Sequence, residues 1–260
     1  MFKEKIVSFS PKEKIMLIIL SILGIFIGFL SGFFAIGGGT MLVPALLMLG
    51  YDIKYAIGIS VTQMVFSSLY GSYLNHKKGT LNFKSSIAVG IGGFLGAANS
   101  GYIVSHLSSH TLTLIFLSFV FLAIYKFFKS PNIAKKEEID NNFLLFFIGY
   151  FVGTMSISVG IGGALLITPI LVGFLHFPLK KALSSALFFV IFSSVSGFVS
   201  LAYSGFVHYK EGLLVGTFSL IGVYFGIKLS HKTEQKRHKK LLLIFYLIIM
   251  LLILKKLFYN

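Results

Sequence analysis

The chain contains no cysteine, and only eight of its 260 residues are acidic. Without cysteine there is no disulfide, no thiolate nucleophile and no cysteine-bound metal. Charged residues of both signs make up 12% of the sequence against 56% hydrophobic, and the mean hydropathy is +0.89. A soluble globule of this size needs more polar surface than that, so the composition is that of an integral membrane protein. The acids, Glu4, Glu13, Asp52, Glu137, Glu138, Asp140, Glu211 and Glu234, all fall in expected loops or at segment ends. No carboxylate is left in mid-membrane, where a proton or sodium pump usually keeps one and a cation pathway wants a negative lining.

What the chain has instead is apolar runs, near 15–35, 41–50, 55–74, 85–105, 111–128, 143–157, 163–175, 182–203, 212–230 and 241–258. Most approach the ~20 residues that cross hydrocarbon as a helix, whereas 41–50 and 163–175 are short. The first run follows Lys3, Lys5, Lys12 and Lys14, but it exceeds a signal-peptide core and no small-x-small site follows Ala35, so a retained helix is expected. The net charge of +15 sits in the loops between runs, where it sets topology rather than marking a nucleic-acid surface. No nucleic-acid partner is expected.

The sequence repeats itself. AIGGGTMLVP at 35–44 returns as GIGGALLITP at 160–169, aligning Gly37 with Gly162, Gly38 with Gly163 and Pro44 with Pro169. The same offset pairs Gly28 with Gly153 and Ser31 with Ser156. After a one-residue shift, Lys54 meets Lys180, Phe66-Ser67-Ser68 meets Phe192-Ser193-Ser194, and Gly71 meets Gly197. The expected architecture is an all-α integral membrane protein with a first transmembrane repeat over 1–130, a polar linker over 131–142 and a second repeat over 143–260. Each repeat holds five apolar segments. An odd number of crossings turns the second repeat upside down relative to the first, the inverted plan of many secondary transporters. With the amino terminus outside, more of the lysines and arginines fall in cytoplasmic loops than in the mirror orientation. Re-entrant short segments would instead give parallel repeats with both termini inside.

Irregular backbone at membrane depth is tolerated only where it is buried in protein or lines a watery cavity. The glycines at 37–39 and at 160, 162 and 163 therefore predict two broken segments, each restarting as a short helix that carries Pro44 or Pro169 as a structural residue. The amino end of such a helix offers unpaired N–H groups and the positive end of a dipole, and glycine lets a ligand approach them. Two of these ends meeting near the midplane suit an anion. The candidate substrate-binding set is Gly37, Gly38, Gly39, Thr40, Gln63, Ser67, Asn99, Gly160, Gly162, Gly163 and Ser193, whose hydroxyls and amides donate to an oxyanion without charge of their own. His76, beside a basic loop, is placed to receive an anion or exchange a proton. Elsewhere, Gly92 with Gly96, Gly212 with Gly216 and Gly222 with Gly226 read as close helix packing.

Enzyme chemistry is not legible. HLSSH at 106–110 lacks the glutamate of a zinc hydrolase, the glycine stretches have no Lys-Ser/Thr successor, and no nucleophile, base and orienting acid converge. Neither a cofactor nor a metal is expected.

The pattern GFLSGFFAIGGGTMLVPALLMLG, then AIGISVTQMVFSSLYGSYLNHKKGTLNF, then GIGGALLITPIL resembles the TauE/SafE family of sulfite exporters and organosulfonate permeases over nearly the whole chain. The resemblance implies two repeats and transport of small sulfur-containing anions across a cell membrane, the cytoplasmic membrane in a bacterium. An anion channel or a permease for another small organic anion, such as a carboxylate, is the alternative. Oligomeric state is open between monomer and homodimer. The sequence departs from the pattern at Ala164, which stands where the first repeat has Gly39.

Overall fold

The computed structural model describes residues 11–81, 83–129 and 138–258. Most of the expected linker, up to residue 137, and the basic residues before position 11 lie outside the described residues. The described chain is entirely helical: α1 (Pro11–Phe34), α2 (Gly39–Met48), α3 (Ile53–Lys77), α4 (Phe83–Ala97), α5 (Ser100–His106), α6 (Ser109–Lys129), α7 (Asn142–Ser158), α8 (Ala164–Gly173), α9 (Leu179–Tyr203), α10 (Tyr209–Lys232) and α11 (Gln235–Phe258). Among the described residues, four stretches are long and apolar enough to cross a membrane: Glu13–Phe34, Ser86–His106, Leu179–Tyr203 and Tyr209–Lys232. Every expected apolar run becomes one helix except 85–105, which divides into α4 and α5.

Local chemistry explains the helix starts. The Asp52 carboxylate accepts the Lys54 N–H at 2.8 Å ahead of α3, and the Asn141 side chain accepts from Phe143 and Leu144 N–H ahead of α7. The division at Ala98–Asn99 is supported from a distance. Ser200 of α9 donates its hydroxyl to the Ala98 carbonyl at 2.7 Å and accepts the Gly101 N–H at 2.9 Å. Those are backbone groups that the interruption would otherwise leave unpaired in an apolar setting.

Glycine sets the packing. Gly24, Gly28 and Gly32 of α1 lie on the backbone of Val215, Ser219 and Val223 of α10, and Gly222 and Gly226 return the contact at Ile25 and Phe29. Any side chain at Gly28 or Gly222 would collide with the facing backbone, so both helices approach as bare ridges. The same device joins α4 to α7: Gly92 and Gly96 meet Phe146 and Tyr150, while Gly149 and Gly153 meet Val89 and Gly93. In both pairs the numbers rise together, so the helices are parallel. Gly212 and Gly216 of α10 face Thr62 and Phe66 of α3, again in parallel. Ser86 bonds Ser185 at 2.9 Å and Gly101 bonds Ser200, so α4 and α5 run with α9. Between α3 and α9 the order reverses, Gly58 meeting Phe206 and Thr80 meeting Ser184. Thus α1, α3 and α10 run one way, and α4, α7 and α9 the other. The most covered elements are α3 and α9, which carry the buried polar side chains of the centre.

Candidate functional site

Both broken segments adopt one backbone trajectory. In the first, Ala35, Gly37 and Gly38 take φ of 55°, 77° and 83°; in the second, Gly160, Gly162 and Gly163 take 75°, 77° and 83°. Ala35 is thus a non-glycine residue in the left-handed region, at a strain of about 1–2 kcal/mol. Each trajectory ends by starting a ten-residue helix, about 15 Å long. The Gly38 carbonyl accepts Met41 and Leu42 N–H at 3.2 and 3.1 Å, and Gly163 accepts Leu166 and Ile167 N–H at 3.0 and 2.9 Å. The amides of Gly39 and Thr40, and of Ala164 and Leu165, stand ahead of those first helical bonds as the donors of an amino end. Within the helices, Pro44 and Pro169 have no N–H to give to the carbonyls one turn before them.

The breaks meet at the centre of the molecule. A Cβ placed on Gly37 would lie 3.0 Å from Val190 Cγ1 and 3.4 Å from Met64 Sδ, and one placed on Gly162 would strike the same sulfur. Met64 of α3 and Val190 of α9 hold equivalent positions in the two halves, so each fills the seam between its own break and the other. Gly39 lies so close to the Gly160 carbonyl that a Cβ there would overlap it, and Ser60 donates to that carbonyl at 2.9 Å. Gly39 therefore serves close approach rather than a positive φ. At the equivalent point of the second half, Ala164 carries the methyl group that Gly39 lacks.

Polar groups are distributed unequally about this seam. The Ser67 hydroxyl stands 3.3 Å from the Gly37 carbonyl and 3.4 Å from that of Met64, and the Ser193 hydroxyl 3.4 Å from the Gly162 carbonyl and 3.3 Å from that of Phe189, so each single proton can serve either the break or its own helix. Gln63 is fully buried, its amide against Gly38, and neither its oxygen nor its nitrogen has a partner. Thr40 and Ser31 are also fully buried with unpaired hydroxyls. The equivalent positions in the second half are Phe189, Leu165 and Ser156, the last bonded to the Val152 carbonyl. Phe189 packs on Gly163 where Gln63 packs on Gly38. One break thus faces an unsatisfied amide and hydroxyl, and the other an aromatic wall. All of these groups are sealed from solvent in this conformation.

Matching against known families decides what kind of protein this is. The model described as sulfite exporter TauE/SafE matches residues 20–253. The chain belongs to that family. Its relatives include a probable membrane transporter protein of Methanocaldococcus jannaschii, 26% identical over 85% of this chain and 89% of that protein. The probable membrane transporter proteins YdhB and YunE of Bacillus subtilis are 28% and 26% identical, each over 84% of this chain and 90% and 89% of theirs. No solved structure matches. The TauE/SafE chain is a multi-pass membrane transporter and not an enzyme.

Of the residues the sequence singled out, the TauE/SafE fold brings Gly37, Gly38, Gly39, Thr40, Gln63, Ser67, Gly160, Gly162, Gly163 and Ser193 to one seam. Asn99 is elsewhere. It is exposed between α4 and α5, its amide turned to the Gly96 carbonyl at 3.4 Å, where it serves the local turn. His76 is exposed in the last turn of α3, away from the breaks. Sequence reasoning missed Ala35, Met64 and Phe189, although the one-residue shift that pairs Ser67 with Ser193 also pairs Gln63 with Phe189. It also missed His238, buried in α11 with its ring stacked on Phe33 at the end of α1 and its Nε2 unpartnered.

Proposed function

We propose that this TauE/SafE protein is a secondary transporter of small sulfur-containing oxyanions, such as sulfite or a sulfonate, working by alternating access. The substrate lies at the seam, its oxygens taking hydrogen bonds from the α2 amino end, the Thr40 hydroxyl and the Gln63 amide. The observation that carries the reading is Gln63, a fully buried amide with both polar atoms unpaired beside a helix amino end. A buried polar group of that kind is retained against its cost when something else bonds to it during function. Gly37, Gly162, Ser67 and Ser193 shape the breaks, Gly160 and Gly163 complete the opposing half-site, and Phe189 forms its apolar wall.

The scaffold of this reading is a pair of five-segment repeats of opposite orientation. Its support is the contact register: α1 and α3 run against their equivalents α7 and α9, and α4 runs against α10. The same contacts argue that the moving bodies are not the two sequence halves. Glycine ridges fasten α1 to α10 and α4 to α7 across the repeats, so α1, α3 and α10 move as one body and α4, α7 and α9 as the other. They rock at the seam between α3 and α9. With no carboxylate at mid-depth, a monovalent anion is driven by the membrane potential, about 2.3 kcal/mol per charge per 100 mV, or carries its own proton.

Proteoliposome flux tests this. Sulfite or a short sulfonate should show saturable uptake without resolvable unitary currents, and Gly38→Leu, whose side chain must displace Gln63, should abolish it while folded protein remains in the membrane. Normal flux in that variant overturns the site, and unitary currents overturn the carrier in favour of a channel.

A further inference from the structure

The two halves build one cleft twice. Where the end of α3 meets α10, a cavity of about 360 Å³ is lined by Leu74, Lys77, Lys78, Tyr224, Ile227 and Lys228. Where the end of α9 meets α4 and α5, a cavity of about 610 Å³ is lined by residues that include Ala98, Tyr102, Ser200, Tyr203 and Ser204. The second set repeats the first in the register that pairs Ser67 with Ser193: Ser200 stands for Leu74, Tyr203 for Lys77, Ser204 for Lys78 and Tyr102 for Lys228. The position in each half is thus shared, and the three lysines belong to one cleft alone.

Nothing on either helix neutralises them there. No acid occurs in α3, and the only one in α10 is Glu211, in the first turn at the opposite end. Two of the ammonium groups are held over aromatic rings, Lys77 at 4.8 Å from the Tyr73 centroid and Lys228 at 6.0 Å from that of Tyr224. The rings are half exposed on the outer surface of the bundle, next to the apolar flank that Leu69 and Phe225 continue along the membrane. The cleft opens on the basic end of the molecule. Lys180 reaches the His231 carbonyl at 3.1 Å and Ser184 reaches Thr80, tying the starts of α9 and α10's far end to the loop after Lys78.

From this we infer that the Lys77–Lys78–Lys228 cleft is a binding site for the phosphate headgroup of an anionic phospholipid in the leaflet at the basic end. The three ammonium groups surround the phosphate, and an acyl chain follows Leu74 and Tyr224 toward the exposed flank. A basic pocket between transmembrane helices is built for such a headgroup, whereas its twin, with hydroxyls and tyrosines, has no charge selectivity. The bound lipid joins one helix of the first half to one of the second, both within the body that carries α1. The site is independent of the transported anion.

Purified full-length protein in a neutral detergent provides the test, with lipid retention read by native mass spectrometry and thermal stability read in parallel. Phosphatidylglycerol should be retained and raise the unfolding temperature, and phosphatidylcholine should do neither. Each Lys→Gln change should weaken retention roughly fivefold, and K77Q/K78Q/K228Q together on the order of a hundredfold. Tyr102→Gln with Tyr203→Gln in the twin cleft should leave it unchanged. Should the triple variant prove unstable, Lys228→Gln alone, at the cleft wall, carries the test by its fivefold loss. Equal retention of phosphatidylglycerol by K228Q and the parent, or equal retention of phosphatidylcholine, overturns the proposal. So does inorganic phosphate at millimolar concentration giving the full stabilisation while the lipid gives none, the mark of a soluble-anion vestibule.

Discussion

Replacing Gln63 by Met should make the protein more stable and a poorer transporter. Methionine is unbranched and of similar length, so the core keeps its volume while two unsatisfied polar atoms disappear. An unpaired buried polar group costs about 1–3 kcal/mol, and side-chain hydrogen bonds in membrane proteins average below 1 kcal/mol because the reference state finds partners too. A net gain of about 1–3 kcal/mol follows for Gln63→Met, which for a chain of this size is a rise of roughly 2–10 °C in unfolding temperature. Function moves the other way. An amide bonded to an ionised oxygen contributes about 1.5–3 kcal/mol, so its loss weakens substrate binding about 10- to 150-fold. The chain has no tryptophan, so unfolding is followed with a fluorescent fusion by size-exclusion after heating. Binding is read as the shift that sulfite adds to the same curve and as the half-saturation of proteoliposome flux. A Gln63→Met protein that melts lower than the parent and transports normally would refute the reasoning, since the amide would then be a structural bond and not a reader of substrate.

Other substitutions separate the parts of the fold. Gly39→Ala forces a methyl group onto the Gly160 carbonyl; it should slow flux and lower stability by about 1–3 kcal/mol, whereas Ala164→Gly should change both by less, as flux and melting assays would show. Ser200→Ala removes both bonds that bridge the interruption between α4 and α5, and a loss of about 1–3 kcal/mol in melting experiments is expected, with half-saturation unaltered. His238→Phe fills the same aromatic stack without the unpartnered Nε2 and should be neutral or stabilising by about 1 kcal/mol in the same assay.

Much of this architecture could be read before any coordinates. Glycine clusters repeated with a following proline specified where both halves break, because few other residues accept three left-handed positions within four residues. Ala35 escaped notice for the same reason: its left-handed conformation is imposed by neighbours that its own chemistry does not announce. The interruption at Asn99 was illegible because its stabilising hydroxyl comes from Ser200, far away in sequence. Asn99 itself looked like a ligand group because an amide in an apolar run is costly, yet exposure and the Gly96 carbonyl resolve that cost locally. The serines at 67 and 193 were found by symmetry, but whether a hydroxyl faces a ligand or a backbone carbonyl depends on which atoms the fold places within 3.5 Å. Lys77 and Lys78 were visible only as loop charge, and Lys228 only as a lysine inside the apolar run at 212–230. Their meaning needed α10 beside α3.

The glycine ridges also govern how the molecule is made. A chain inserted from its amino end releases α1 into the bilayer with Gly24, Gly28 and Gly32 uncovered, and the helix that fits them, α10, is almost the last to be synthesised. Nascent α1 must therefore wait, shielded by lipid or by an insertion factor, through nearly all of translation. α4 waits a shorter time for α7. A fragment ending after α6 leaves both ridges bare and should be degraded, whereas the two fragments produced together in one membrane should find each other and mature.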